Sequence, residues 1–312
     1  MKTSNLIIKC PNDKVTVLLA GQYQNGKSTL INCLLGGKYA IEGGMVQNST
    51  SGVHTTACRT LYIYSERACY YKVTPFGKCE VSREGLMQAV NRNGEDFYLE
   101  AEISSPLLKE INLVDAPGWG VEDWDDNQAE VSLQGADYVI YVAQKQLMQG
   151  DKNFLRLIKD KRKYFCAILN VLDAVDPGDT TKEDIVANCN AIIGVFKQIG
   201  MDAQFIGFPS ESGLAVINLL WAKYALHLLD NPESKYDADM AARVCAALDY
   251  ELPKGEIEYE ELLENSGYKD WKMFFEHSLR MVEKFDDPVE TDIHKEISLS
   301  ICENLIKVLR RS

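Results

Sequence analysis

The sequence predicts an α/β fold in which a mostly parallel sheet, enlarged by an insert, carries a phosphate-binding loop and is followed by a C-terminal helical segment. Three observations predict it. Over the first two-thirds of the chain, short apolar runs alternate with amphipathic stretches, as in a parallel sheet covered on both faces. A loop of the pattern GxxxxGK[ST], Gly21-Gln22-Tyr23-Gln24-Asn25-Gly26-Lys27-Ser28, stands between an apolar run and a helical pattern. Beyond Asn231-Pro232 the composition turns acidic and helix-rich without clear strands. These define the P-loop NTPase (G-domain) class, with residues 1–230 as the nucleotide domain and 231–312 as a helical extension.

The elements follow in order. Val15–Ala20 is a near-continuous apolar run, as a strand buried on both faces requires. Gly26–Leu35 reads as a helix, ended by Gly36-Gly37. Arg59–Ser65 and Ala68–Thr74 read as strands, Ser82–Asn91 as a short helix, and Phe97–Ser104 alternates like an edge or hairpin strand. Further strands are expected at Ile111–Asp115, Asp137–Ala143, Tyr164–Leu169 and Gln204–Phe208. Between them lie helical patterns at Asn127–Leu133, Asp151–Lys161 and Lys182–Ile199. Leu214–Leu229 reads as one long amphipathic helix. Tyr268–Lys284 places Trp271, Phe274, Phe275, Leu279 and Val282 at helical spacing, which predicts a helix packed on the protein rather than inserted in a membrane.

Composition narrows the function. The chain has 312 residues, 46% hydrophobic and 25% charged, enough apolar material for a sizeable core. Its net charge of -13 argues against a general nucleic-acid binder, which needs a basic footprint. The nine cysteines form no CxxC pair and no cluster with histidine, so reduced thiols in a cytoplasmic protein are expected. No apolar run approaches the roughly 20 residues that span a bilayer.

In the loop, backbone N–H groups and the following helix N-terminus converge on phosphates. The phosphate-binding candidates are Gly21, Asn25, Gly26, Lys27, Ser28 and Thr29. Lys27 supplies a point charge near the β- and γ-phosphates, and Ser28 a hydroxyl for Mg²⁺. Leu113-Val114-Asp115-Ala116-Pro117-Gly118 then puts a carboxylate at the C-terminal end of a strand, where an open α/β sheet binds its ligands. Asp115 is the Mg²⁺ candidate on that strand, and Gly118 can bring its N–H to the γ-phosphate without a Cβ in the way. Between the two motifs, Gly52-Val53-His54-Thr55-Thr56-Ala57 offers two threonines to Mg²⁺ and the γ-phosphate, and Thr55 and Thr56 are equal candidates.

Leu169-Asn170-Val171-Leu172-Asp173 predicts the base. Asp173 can accept from the guanine N1–H and exocyclic amine together, a donor pair that adenine lacks. Asn170 would brace the loops around the base, with Val171 standing where such motifs carry a lysine. Ser210, after the strand expected at Gln204–Phe208, is placed for the last base-contacting loop. The expected ligands are therefore GTP or GDP with Mg²⁺.

Gly-Lys-Ser-Thr-Leu-Ile-Asn at 26–32, Thr55-Thr56, and Ser105-Pro106-Leu107-Leu108 leading into the Asp115 motif resemble the dynamin superfamily, its bacterial dynamin-like branch above all. The stretch from Glu66 to Ser104 resembles the enlarged GTPase domain of that family, and Leu262–Tyr268 resembles the return into a helical neck. The resemblance implies GTP hydrolysis and a GTP-dependent homodimer formed across the nucleotide face. It also implies membrane remodelling and peripheral membrane association through a stalk and lipid-binding tip, which this sequence is not expected to encode; Glu296–Arg311 reads as the opening of one more helix.

Small switch GTPases carry a water-orienting glutamine directly after the Asp-x-x-Gly motif, where this chain has Trp119. Hydrolysis is then expected to draw on backbone groups, on Gln22 or Gln24, or on a partner molecule. Two other classes remain open to the sequence: an Era-like regulatory switch acting on a protein or ribosomal effector, and an ATP-using P-loop enzyme such as a kinase.

Overall fold

A computed structural model describes residues 6–36, 58–90, 97–118, 130–144, 146–161, 163–170, 182–201, 214–219 and 266–283, with isolated positions between the last two stretches. The chain divides into two compact units. One comprises Met1–Val142 and Gln149–Phe165; the other comprises Ala143–Met148 and Cys166–Ser312.

The first unit is built on β1 (Val15–Ala20), β2 (Thr60–Tyr64), β3 (Cys69–Thr74), β4 (Gly77–Val81), β5 (Tyr98–Ile103), β6 (Ile111–Asp115) and β7 (Tyr138–Ala143), in the order β4-β3-β5-β2-β6-β1-β7. Every residue of β1 is buried. Its one polar residue, Thr16, is accommodated because its N–H donates to Asp137 Oδ2 at 2.9 Å and its hydroxyl donates to Cys10 Sγ at 3.1 Å. β1 runs parallel to both β6 and β7, with Leu19 level with Asp115 on one side and Ile140 on the other. That register brings the start of the loop beside the end of β6.

Helix α1 (Lys27–Leu35) follows the loop and buries Leu30, Ile31, Cys33, Leu34 and Leu35. Ser105 closes its C-terminal end: the Ser105 hydroxyl donates to the Leu35 carbonyl at 3.2 Å, answering one of the carbonyls a helix leaves without an internal partner. Pro106 then opens a 3-10 turn, Pro106–Lys109, and Leu108 is buried beneath it. The Ser-Pro-Leu-Leu sequence thus joins the loop's helix to β6. Helices α2 (Arg83–Val90) and α3 (Gln149–Asp160) complete the unit, with a helical turn at 130–134 where Asn127–Leu133 was expected.

Two expectations are corrected here. The alternating segment at 97–104 forms an interior strand, since β5 lies between β3 and β2. It is parallel to β2 and antiparallel to β3. Its alternating acids are met across the sheet by Lys78, whose Nζ lies 2.6 Å from Glu100 and 2.8 Å from Glu102. Lys78 belongs to β4, an outer strand in a polar stretch that has no apolar period to predict it; β4 exists as the second arm of a hairpin with β3. The insert thus adds antiparallel strands to a parallel centre, and the sheet is mixed.

In the second unit, β8 (Tyr164–Asn170) pairs in parallel with β9 (Leu214–Ile217), with Asn170 opposite Ile217. The helix expected over 214–229 therefore begins with a strand, which is the second correction. Leu-Ala-Val-Ile is a short apolar run whose pairing with β8 outweighs the helical period continuing beyond it. Helix α4 is Lys182–Ile199, as expected, and α5 is Tyr268–Glu283. α5 buries Tyr268, Trp271, Phe274, Phe275 and Leu279, with Trp271 and Phe275 stacked at a centroid distance of 5.3 Å. Gly267 begins it at φ 73, and a Cβ there would stand 2.7 Å from the Val216 carbonyl oxygen, so a glycine lets α5 approach β9. The aromatic face is core, as the helical spacing predicts. Among the described residues no helix is long and apolar enough to cross a membrane. The strand expected at Gln204–Phe208, the boundary near residue 231 and the helix at Glu296–Arg311 lie outside the described residues.

Candidate nucleotide site

The loop leaves β1 at Gly21, with φ 146. A Cβ there would lie 2.2 Å from the Val142 carbonyl oxygen, so only glycine lets the chain pass the end of β7. Gln24 takes a left-handed conformation, φ 64, and Gly26 another at φ 94. Two such residues within three curl the backbone into a cup, the form in which successive N–H groups converge on an anion. The start of α1 reinforces it, because Gly26 provides no side-chain cap and the first turn carries no acidic residue. Among the described residues, neither a side-chain cap nor a first-turn acid of α1 competes with a phosphate for those N–H groups. Asn25 is buried and ties the far side of the loop down, donating from Nδ2 to the Val142 carbonyl at 2.9 Å.

Lys27 is 6% exposed, and its ammonium donates to the carbonyls of Gly21 at 3.0 Å and Gln22 at 2.8 Å. The cation is thus held within the loop by the loop's own backbone. Ser28 donates its hydroxyl to Asp115 Oδ2 at 3.2 Å. The other carboxyl oxygen of Asp115 is buried and has no hydrogen-bond partner among the described residues. Burial pushes the Asp115 carboxyl up to about 6, against the opposing pull of the Lys27 charge and the Ser28 hydrogen bond. A hydroxyl beside a buried carboxyl with one unanswered oxygen is a fitting donor set for Mg²⁺, a hard cation that favours oxygen. Gly118 closes the arrangement. A Cβ there would meet Tyr23 N at 2.5 Å, Tyr23 Cα at 2.6 Å and Lys27 Nζ at 2.8 Å, so the end of the Asp115 motif lies directly on the loop.

The structure therefore brings Gly21, Gln22, Gln24, Asn25, Gly26, Lys27, Ser28, Asp115 and Gly118 together in the first unit, with Thr29 in the first turn of α1. Gln24 is exposed, whereas the Gln22 amide is engaged: its Nε2 donates to Asp151 Oδ2 at 2.5 Å. Asn170 ends β8 in the second unit, where its Oδ1 accepts from the Leu219 N–H at 3.3 Å. That bond ties the end of β8 to the chain just beyond β9. Thr55, Thr56, Trp119, Val171, Asp173 and Ser210 lie outside the described residues.

Two residues at this site escape the sequence reading. Asp151, buried in the first turn of α3, accepts from Gln22 and, on its other oxygen, from the Tyr141 hydroxyl at 2.5 Å. Burial, with Asp151 adding to it, raises the Tyr141 phenol well above its ordinary value, so Tyr141 keeps its proton and stays a donor. An acidic residue in a first helical turn is ordinary, and nothing in the sequence pairs it with a glutamine 129 positions away.

A strand-loop-helix with a glycine-bounded cup, a buried lysine, and a serine joined to a strand-end aspartate define a P-loop nucleotide-binding domain. The comparisons with known proteins narrow the class. The model of the Dynamin family matches residues 17–174, about half of the chain. The chain belongs to the dynamin family, and this unit is part of its GTPase domain. A curated relative, the probable transmembrane GTPase FZO-like, chloroplastic, of Arabidopsis thaliana, is 31% identical over 160 residues. The match covers 50% of this chain and 15% of the relative, so the chain spans a small part of that protein's length. Two solved structures of an oligomerised bacterial dynamin pair, described as providing a mechanism for long-range sensing and tethering of membranes, match 83% of this chain. They are 15% and 16% identical, cover 38% and 37% of the solved chains, and both have a TM-score of 0.44. Family membership does not favour the Era-like reading.

Proposed function

We propose that this chain binds GTP with Mg²⁺ and hydrolyses it, and that GTP-bound copies associate in pairs. The observation that carries the proposal is the Ser28–Asp115 pair beside the buried Lys27, with one Asp115 oxygen left without a hydrogen-bond partner among the described residues. Ser28 and Asp115 would hold Mg²⁺, with Thr55 or Thr56 as the further candidate ligand, and the ion would offset phosphate charge when bound. The chain's own groups supply the rest. Lys27 leaves the Gly21 and Gln22 carbonyls for the phosphates, the cup at 21–26 wraps them, and Gly118 brings its N–H to the γ-phosphate. Asp173, with Asn170 bracing, selects guanine. Gln24 is exposed at the turn of the loop and is the second glutamine on which hydrolysis would draw.

With no glutamine after Gly118, completion of the site by a second copy is the economical source of the missing group, and it makes turnover depend on concentration. Coupling to a membrane, through regions outside this sequence, is proposed on the family and on the description of the FZO-like relative as a transmembrane GTPase.

The test is turnover per molecule measured over a wide protein range with GTP and with ATP, together with light scattering in GDP and in GDP–fluoroaluminate. Expected are rising specific activity with concentration, a dimer in the transition-state mimic, and loss of the preference for GTP over ATP in Asp173→Asn. Equal use of ATP and GTP by the wild-type chain overturns the nucleotide assignment. Turnover independent of concentration overturns the pairing.

A further inference from the structure

Among the described residues, the phosphate loop meets β7 and α3 at three points, one close approach and two sets of hydrogen bonds, all in the first unit. Gly21 passes against the Val142 carbonyl, where a Cβ would stand 2.2 Å away. Asn25 donates to the same carbonyl at 2.9 Å. The third fastening is side chain to side chain, Gln22 Nε2 to Asp151 Oδ2 and Tyr141 hydroxyl to Asp151 Oδ1, both at 2.5 Å. Asp151 is 1% exposed and Tyr141 is fully buried, so solvent does not compete for this acceptor.

We infer that Asp151 is a positioning residue of the nucleotide site, acting through Gln22 to hold the loop in its phosphate-ready form. The chemistry follows from the bond directions. Both Asp151 oxygens accept, which leaves it only donors to receive, and Gln22 must therefore turn its NH₂ toward α3. With that orientation set, the Gln22 backbone is anchored as well. Its carbonyl is one of the two that hold Lys27, at 2.8 Å, and it also receives the Asn25 N–H at 3.4 Å. Releasing the Gln22 side chain therefore loosens the seat of the lysine and the curl of the cup together. The entropy of ordering that loop then falls on the binding step, so affinity for nucleotide drops while the chemical step, once the loop has closed, is little changed. Tyr141 secures the other end: its hydroxyl fixes the Asp151 carboxyl on β7, the strand whose Val142 carbonyl already carries the other two fastenings.

This inference rests on the reading of the loop as a GTP site, and the experiment separates the two. Binding of fluorescent GDP and single-turnover GTP hydrolysis are measured on the whole chain as wild type, Asp151→Ala, Gln22→Ala, the double variant, Asp151→Asn and Tyr141→Phe. Expected is an affinity loss of about tenfold in each alanine variant, the scale of one hydrogen bond to a charged group. The double variant should lose no more than either single one, because one residue acts through the other. Single-turnover rates at saturating GTP should stay within about threefold of wild type in Asp151→Ala and Tyr141→Phe, whose side chains lie behind the loop. Asp151→Asn should keep most of the affinity, since its Oδ1 can still accept from Gln22 while its Nδ2 donates to the Tyr141 oxygen.

A wild-type chain that binds neither GDP nor GTP overturns the site itself. A wild type that binds, with Asp151→Ala binding equally tightly or with losses that add in the double variant, overturns only the positioning role. Should Asp151→Ala fail to fold, Gln22→Ala and Tyr141→Phe decide alone, and full affinity in both overturns it.

Discussion

Two regions of the first unit use the same kind of backbone for opposite ends. At the centre, β1 and β7 are buried at every residue and β6 likewise, and their C-terminal ends meet at the phosphate loop. At the margin, the β3–β4 hairpin is half-buried to exposed throughout, and Phe76 in its turn is 100% exposed. The centre is held by packing with almost no tolerance. The hairpin is held by local devices: the Thr74 hydroxyl donates to the Gly77 carbonyl at 3.1 Å and accepts from the Phe76 N–H at 3.2 Å, and Lys78 lies over the Tyr71 ring at 3.8 Å. The difference teaches where precision resides. A nucleotide loop needs its supports placed to a fraction of an ångström, which close packing supplies, whereas an appended hairpin needs only its turn and a few cross-strand pairs.

The centre is least tolerant at Gly21. Gly21→Ala drives a Cβ into the Val142 carbonyl oxygen and strains a backbone at φ 146. We expect a loss of about 3 kcal/mol or more in denaturant unfolding, together with loss of fluorescent-GDP binding. A variant with wild-type midpoint would show the centre to be far more yielding than its packing implies.

At Asp115 the close packing of the centre carries a cost. Its carboxyl sits at about 6 in the folded chain against 3.8 for an unperturbed aspartate, so the native state holds this proton more tightly than the unfolded state does. The corresponding stabilisation is complete below 3.8 and is lost as the pH rises through about 6. Asp115→Asn removes the titration. The variant's stability relative to wild type should therefore rise by roughly 2–3 kcal/mol between pH 4 and pH 7 in the absence of nucleotide and Mg²⁺. The same variant should lose Mg²⁺-dependent nucleotide binding. Urea melts across that pH range read the first effect, and a stability difference that does not change with pH excludes it.

The smallest effect lies at the margin. Phe76→Ala should change unfolding free energy by no more than about 0.5 kcal/mol and leave GDP affinity unaltered, because the ring is wholly exposed. A larger loss would mean that the hairpin shares in the packing of the centre.

Legibility follows the same division. β1 and β6 match the sequence expectation residue for residue, because a strand buried on both faces reads as a near-continuous apolar run and their ends are marked by the loop and by Asp115. Helices α1, α4 and α5 are read nearly as well from period and glycine punctuation. The hairpin's second arm is not legible, since Gly-Lys-Cys-Glu-Val is polar and is ordered by its partner strand. Nor is β9, four residues whose apolar run continues into a helical period, so that only pairing with β8 tells strand from helix. The Ser105–Leu35 bond explains physically a motif that the sequence offers only as a family mark.

By itself the sequence determined the strand-loop-helix around its GxxxxGK[ST] pattern, the aspartate at the end of β6, and the family. Each of these is a local pattern whose residues act within a few positions of one another or at a strand end. Only the tertiary structure decided that Gln22 turns toward Asp151, and that Lys27 rests on the loop's own carbonyls. It also decided that Asp115 is buried with one oxygen unanswered. Those facts depend on which distant strands and helices close around the loop, and that closure is set by packing across the whole sheet rather than by any run of residues.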